Sequence, residues 1–194
     1  MQQAPVINIK NLHVSILFPQ DEPTDAAPLQ AVPVESLLPP PLGSYWPGQG
    51  GYNAGLVRGE DGAPDYYLIV PQLTEQLSAA WGGYGEEVEG ASSASDGLAN
   101  TRALLAGSSE YPAAKLASEF TADGHNDFYL PARRELQLAE ANVPELFEKA
   151  YHWSSSQRSA YYAYGVGFEG GWLNGYRGHK SGEFLVRPVR RFIP

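Results

Sequence analysis

The 194-residue sequence contains no cysteine. That absence excludes disulfides, thiolate metal sites and cysteine nucleophiles together. Basic side chains are also scarce, with 13 Lys and Arg against 22 Asp and Glu and a formal net charge of −9. Wrapping nucleic acid needs a basic surface that neutralises phosphate, so no nucleic-acid partner is expected. No apolar run approaches the roughly 18 residues of a membrane helix, so no membrane insertion is expected. The opening MQQAPVINIK lacks a basic stretch followed by a long apolar one, so no signal peptide is expected. The chain does have a hydrophobic content of 43% and an aromatic content of 12%, enough for a core. Its 21 glycines and 16 prolines favour a loop-rich, β-leaning architecture.

Charge is unevenly placed. Residues 1–127 hold 4 basic and 16 acidic side chains, whereas residues 128–194 hold 9 basic and 6 acidic. Residues 6–18 read as extended, with a parity slip at Lys10–Asn11. Residues 19–41 carry seven of the prolines and end in Pro39-Pro40-Pro41. Proline removes donors and fixes φ, so this segment reads as an extended arm. Two parts follow: an N-terminal strand and proline-rich arm (1–42) for attachment or oligomerisation, and a domain over 43–194.

Within the domain, 51–58 and 65–71 read as paired strands turning at Gly59–Pro64. Residues 82–95 read as a loop. Asp96 caps a predicted helix over 97–106 that ends at Gly107. A second helix is predicted over 112–120 behind Pro112, with Ala114, Leu116, Ala117 and Phe120 as its stripe. A third spans 132–142, with Leu136, Ala139 and Val143 on one face. Strands are predicted at 151–155, 161–168 and 183–192. In 161–168, Tyr162, Tyr164, Val166 and Phe168 share one face. Ala163, Gly165 and Gly167 share the other, where a ring or backbone can approach closely. Trp153 reads as core. Glu135 reads as structural, reaching back to the start of its helix. Arg187 and Arg190 read as opposite faces of one last strand, one meeting a carboxylate inside and the other facing solvent.

The motifs fall in a recognisable order. They run G-x-Y-W-P-G-Q-G-G-Y-x-A-G (43–55), Y-L-I-V (67–70), an Asp-Gly-x-x-Asn-Thr helix start (96–101) and an Ala-rich helix (113–120). Then come D-F-Y-L-P-A-R-R-E-L (127–136), Y-H-W-S-S-S (151–156), Y-A-Y-G-V-x-F-x-x-G (162–171), Lys180 and V-R-P-V-R (186–190). This resembles the C-terminal domain family of the Legionella collagen-like adhesin, typified by W-R-L-P-T-x-x-E-L, Y-W-S-S-T, V-x-F-x-x-G and V-R-C-V-R. The resemblance covers about residues 43–194. It implies an α+β, C-type-lectin-like fold with small antiparallel sheets and two or three helices. Such domains occur on adhesin tips and bacteriophage tail fibres. The family's two cysteines correspond to Pro188 and Ala117 here, a pairing loss that suits assembly in a reducing cytoplasm.

The glycine-rich loop EGGWLNGYRGHKSG (169–182) combines rings with hydrogen-bonding side chains, the chemistry of adaptable binding loops. Trp172, Asn174, Tyr176, Arg177 and His179 are the candidate ligand-binding residues, with Arg158 and Tyr161 on the loop before the preceding strand. Calcium and zinc have little support. Asp123, Asn126 and Asp127 lack EF-hand spacing, the lectin calcium motifs are absent and the four histidines are scattered. Ser154–Ser156 beside His152 are neighbours in sequence, which is not the spatial arrangement of a triad. No catalysis, metal or cofactor is expected.

The resemblance points to a tail-fibre or baseplate protein of a bacteriophage virion, assembled in the host cytoplasm. Its domain would bind a host polysaccharide or a pilus-type protein. Residues 1–42 would contact other virion tail proteins, and a homo-oligomer is expected, such as a trimer. The alternatives are a purely structural virion component and a non-catalytic bacterial adhesin domain.

Overall fold

The computed structural model describes residues 38–60, 62–168 and 176–194. The predicted strand at 6–18 and most of the proline arm lie outside the described residues. The end of the arm is described, and it is tied to the domain. Asn53 donates its side-chain N–H to Pro40 O at 2.7 Å, and Gly43 N donates to Asn53 O at 2.8 Å.

The first sheet has four strands: β1 (Tyr45–Trp46), β2 (Gly51–Val57), β3 (Tyr66–Val70) and β9 (Arg190–Phe192), in the order β1-β2-β3-β9 and all antiparallel. β2 and β3 form the hairpin that the alternating pattern predicts. β2 is kinked by a bulge between Asn53 and Gly55, where Asn53 Oδ1 accepts Gly55 N at 2.9 Å. Gly55 has φ +116°, a conformation side chains resist.

The second sheet has five strands: β4 (Leu77–Ala80), β5 (Tyr151–Gln157), β6 (Tyr162–Gly167), β7 (Tyr176–His179) and β8 (Glu183–Val186). Their order is β4-β8-β5-β6-β7, antiparallel except where β5 meets β8. The single strand expected over 183–192 is therefore two strands in two sheets. Pro188 lies between them and has no N–H to give a ladder, so the chain leaves one sheet and enters the other. Val189 then exchanges two backbone hydrogen bonds with Tyr129, at 2.9 and 3.0 Å.

Among the described residues, three α-helices complete the α+β architecture: α1 (Gly97–Ala106), α2 (Pro112–Ser118) and α3 (Arg133–Asn142). Asp96 caps α1, its Oδ1 accepting Ala99 N at 2.9 Å, and Gly107 ends it. α2 stops at Ser118, so Phe120 lies beyond the helix, edge-on to Phe128. α3 lays Leu136, Ala139 and Val143 into a core shared with Leu68, Val70 and Val166, packing against both sheets. A second core gathers Leu104, Ala114, Ala117, Trp81 and Trp153 between α1, α2 and the five-stranded sheet. Among the described residues, no helix is long and apolar enough to cross a membrane.

Candidate functional site

β6 and β7 lie at one side of the five-stranded sheet, β7 on the edge. Their inner face carries small residues, and large rings occupy the space this leaves. A Cβ on Gly165 would sit 3.2 Å from the Phe184 ring, and one on Gly167 would sit 3.0 Å from the Tyr151 ring. At Gly178 a Cβ would collide with Trp153. Trp153 is fully buried, stacks on Phe184 at 4.1 Å and donates its indole N–H to Ala79 O at 3.0 Å. It is core, as its sequence context predicts.

The outer surface carries the exposed rings. Register pairs Tyr162 with His179, whose rings are 5.7 Å apart. Tyr84 approaches His179 at 4.4 Å and Tyr161 at 5.2 Å. Tyr84, Tyr161 and Tyr162 are 52%, 50% and 40% exposed. His179 is exposed too, with Nδ1 2.7 Å from Ser181 Oγ. Four rings thus form one patch facing solvent.

The loop carrying Tyr84 is held from below. Gly85 N donates to Ala160 O at 2.9 Å and Gly82 N to Lys180 O at 3.1 Å. Lys180, fully buried, donates from Nζ to Glu86 O at 2.6 Å and to Gln157 Oε1 at 2.9 Å. Its ammonium also lies 4.5 Å from the Trp81 ring, a cation–π contact. Burial pushes the Lys180 pKa down to about 8, against the opposing pull of Glu87 and Glu86. Gln157 Oε1 also accepts Val88 N at 3.0 Å. The loop predicted at 82–95 is therefore pinned at both ends of its Glu86–Val88 stretch.

Of the seven candidate residues, Tyr161 and His179 are brought together in this patch. Arg158 is exposed but sits 5.9 Å from a different ring, Tyr164, which Arg133 also covers at 4.7 Å. Tyr176 and Arg177 are in β7, opposite Gly165 and Tyr164. Trp172 and Asn174 lie outside the described residues. Tyr84 was not a candidate. Its one sequence signal is an aromatic set inside the glycine run of Trp81-Gly-Gly-Tyr84-Gly.

The other suggestive clusters have structural partners. Asp123 accepts the Tyr45 hydroxyl at 2.6 Å and Gly50 N at 3.1 Å, and the Tyr45 hydrogen bond holds its carboxyl below the usual range. Asp127 pairs with Arg190 at 2.6 Å. Among the described residues, no group of three or more His, Asp or Glu could hold a metal ion. Ser154 Oγ donates to Tyr164 O, Ser156 Oγ donates to Ser93 O and Ser155 Oγ accepts from Asn100. His152 is buried against Phe147 and Phe168.

Glu135 is buried and reaches back to Ala132 N at 2.7 Å, the role its position suggests. It also accepts the hydroxyls of Tyr66 and Tyr129 at 2.6 and 2.7 Å, Gly97 N at 3.2 Å and Arg191 Nη2 at 3.1 Å. The expectation for Arg187 and Arg190 is corrected. Both are buried, neither faces solvent, and they lie on opposite sides of the break at Pro188. The cation on the buried carboxylate is Arg191. Arg187 instead donates to two carbonyls, Pro71 O and Leu146 O.

Compared with known families and with curated proteins, the sequence matches no family model and no curated protein.

Proposed function

We propose that this chain is a bacteriophage tail-fibre or baseplate protein whose domain, C-type-lectin-like in fold, binds the host cell surface. The observation that carries the reading is the patch of Tyr84, Tyr161, Tyr162 and His179. Exposed rings grouped on a rigid sheet edge are costly to leave in water and suit stacking against a sugar face or a protein side chain. Their backbones are fixed by strand pairing and by the Lys180 clamp, so little entropy is lost when a ligand docks. Each ring contributes only about 0.5–1.5 kcal/mol. Useful attachment then requires several copies, which fits an oligomer, a trimer for instance, held on the virion through residues 1–42. The ligand would be a host polysaccharide or a pilus-type protein.

The test is co-sedimentation of the full chain with host cells, comparing the natural sequence with a Tyr84→Ala/Tyr161→Ala double variant. Loss of cell binding at unchanged melting temperature supports the reading. Binding that survives the double change removes the patch from the argument. A chain that incorporates into virions yet binds no cells is a structural virion component. A truncation of the arm should end at residue 37, because Pro40 to Gly43 hydrogen-bond to the domain.

A further inference from the structure

Two guanidiniums converge on one ring beside α3. Arg133, in the first turn of that helix, places its Cζ 4.7 Å from the Tyr164 ring centroid. Arg158, on the loop after β5, places its Cζ 5.9 Å from the same centroid. The two cations therefore lie within about 11 Å of each other, the joint reach of those distances. Tyr164 and Arg133 are half-buried and Arg158 is exposed. Among the described residues, no Asp or Glu comes within 4 Å of either guanidinium. Their hydrogen bonds run through backbone N–H instead, from Arg133 to Ser156 Oγ at 3.1 Å and from Arg158 to Tyr162 O at 3.0 Å. Both forks thus keep their five N–H donors open. The neighbouring Arg134 differs, pairing with Glu60 at 2.8 Å. At a separation near the Debye length the two charges at Tyr164 repel each other, and no carboxylate of the described domain offsets them at contact distance.

The chemistry that fits two arginines and a ring is an extended segment bearing spaced carboxylates with proline between them. Guanidinium forks take carboxylates, and aromatic surfaces take proline-rich extended chain. The sequence carries such a segment. Residues 19–37 hold Asp21, Glu22, Asp25 and Glu35, four prolines and no basic residue. They lie outside the described residues, which begin at 38. At roughly 3.1 Å per residue of extended proline-rich chain, Asp25 stands roughly 9–12 Å from Glu22 and Asp21. That spacing matches the span between the two guanidiniums. Pro23 falls between the acids, as a ring between two cations requires.

We propose that the Arg133–Tyr164–Arg158 cluster is the seat for the acidic, proline-spaced segment 19–37 of a second copy of the chain, engaged through Asp21, Glu22 and Asp25. Each copy carries one segment and one seat, so the contact is heterologous and a closed ring of copies fills every seat. Exposed ion pairs are individually weak and are screened by salt, so the contact depends on several pairs at once and on closure of the ring. Arg158 then serves assembly, and residues 1–18 stay available for another virion protein. The contact does not rest on the proposed host binding.

Sedimentation velocity of the full chain tests this. The natural sequence is expected to self-associate at micromolar concentration in roughly 50 mM salt, and to dissociate towards roughly 500 mM as screening shortens the reach of the charges. Two variants separate the halves of the contact. Arg133→Gln/Arg158→Gln removes the seat, and Asp21→Asn/Glu22→Gln/Asp25→Asn removes the acids. Each should weaken association by about tenfold or more at unchanged melting temperature. The second variant changes nothing within the described domain, so it keeps the test decisive if the first does not fold. Mixed together, the two variants should associate one to one, because one retains the seat and the other the acids. A natural chain that stays monomeric in low salt overturns the proposal. So does association that survives either variant. Variants that each lose association yet stay apart when mixed overturn the exchange between copies.

Discussion

Replacing Glu135 with alanine removes one acceptor group from five donors at once. Oε1 takes Tyr66, Tyr129 and Arg191, and Oε2 takes the backbone N–H of Ala132 and Gly97. The donors come from β3, the start of α1, the segment before α3, and β9, so the carboxylate ties the four-stranded sheet to two helices. Burial raises the Glu135 pKa, while Arg191, the tyrosine hydroxyls and Ala132 N oppose the rise. Removing one partner of a buried charge pair costs about 3–5 kcal/mol. That is a large share of a total near 5–15 kcal/mol. At about 2–4 °C per kcal/mol for a domain of this size, the melting temperature should fall by about 10–15 °C. Glu135→Gln is the informative partner variant. Its carbonyl can face Ala132 N and Gly97 N, and its NH2 can donate to the two tyrosine oxygens. Arg191 and the two tyrosine O–H groups then lose this acceptor, but Arg191 keeps Asp96 at 2.7 Å and the Tyr66 hydroxyl has Ser95 O at 3.4 Å. The glutamine should therefore cost about 1–3 kcal/mol, clearly less than alanine. Urea denaturation of both variants measures the difference. Equal losses for the two, or a loss under about 1 kcal/mol for alanine, would refute the view of Glu135 as the hub.

Other expectations are narrower. His152 titrates near 6.5 unfolded and near 4 folded, because burial and Arg187 disfavour its charge. The unfolded chain binds more protons between these values, so stability should fall by up to about 3 kcal/mol as pH drops from 6.5 to 4. That His152 contribution to the slope should vanish in His152→Phe, and an unchanged denaturation profile for the variant would count against it. Trp153→Ala should cost about 3–5 kcal/mol, read by denaturant midpoint, because its fully buried ring fills the space that Gly178 of β7 leaves. Lys180→Met keeps the stem on Trp81 and loses the clamp on Glu86 and Gln157. Hydrogen exchange at Gly85 and Val88 should accelerate severalfold, and unaltered exchange would show that the loop holds itself.

The fold was most legible where the signal was local. Asp96 and Gly107 bracket α1 because a carboxylate cap and a glycine stop act within one turn. The β2–β3 hairpin followed from period-two patterning, and Glu135 from its place three residues into α3. What escaped the sequence depends on partners far along the chain. β4, with Leu-Ser-Ala-Ala, has little intrinsic strand character and exists through its pairing with β8. Strand parity misassigned the arginines because it assumes one continuous strand, and Pro188 divides this one between two sheets. That is why Arg191 reaches the buried carboxylate. Tyr84 is separated by 77 residues from the Tyr161 ring it meets, and nothing in the intervening sequence announces that contact.

The core and the candidate surface follow from one compositional choice. Ala163, Gly165 and Gly178 leave the inner face of β6 and β7 nearly bare, so Trp153 and Phe184 pack directly against backbone. The large side chains of that edge then have to lie outward, where Tyr162 and His179 meet Tyr84. The same edge supplies Lys180, whose ammonium turns inward to hold the Tyr84 loop by its carbonyl. A larger residue at Gly178 would therefore act twice: it would displace Trp153 from the core, and it would shift the strand that positions His179. Core stability and the shape of the ring patch are coupled through this edge. Selection for binding at the patch would act on buried glycines as strongly as on the exposed rings.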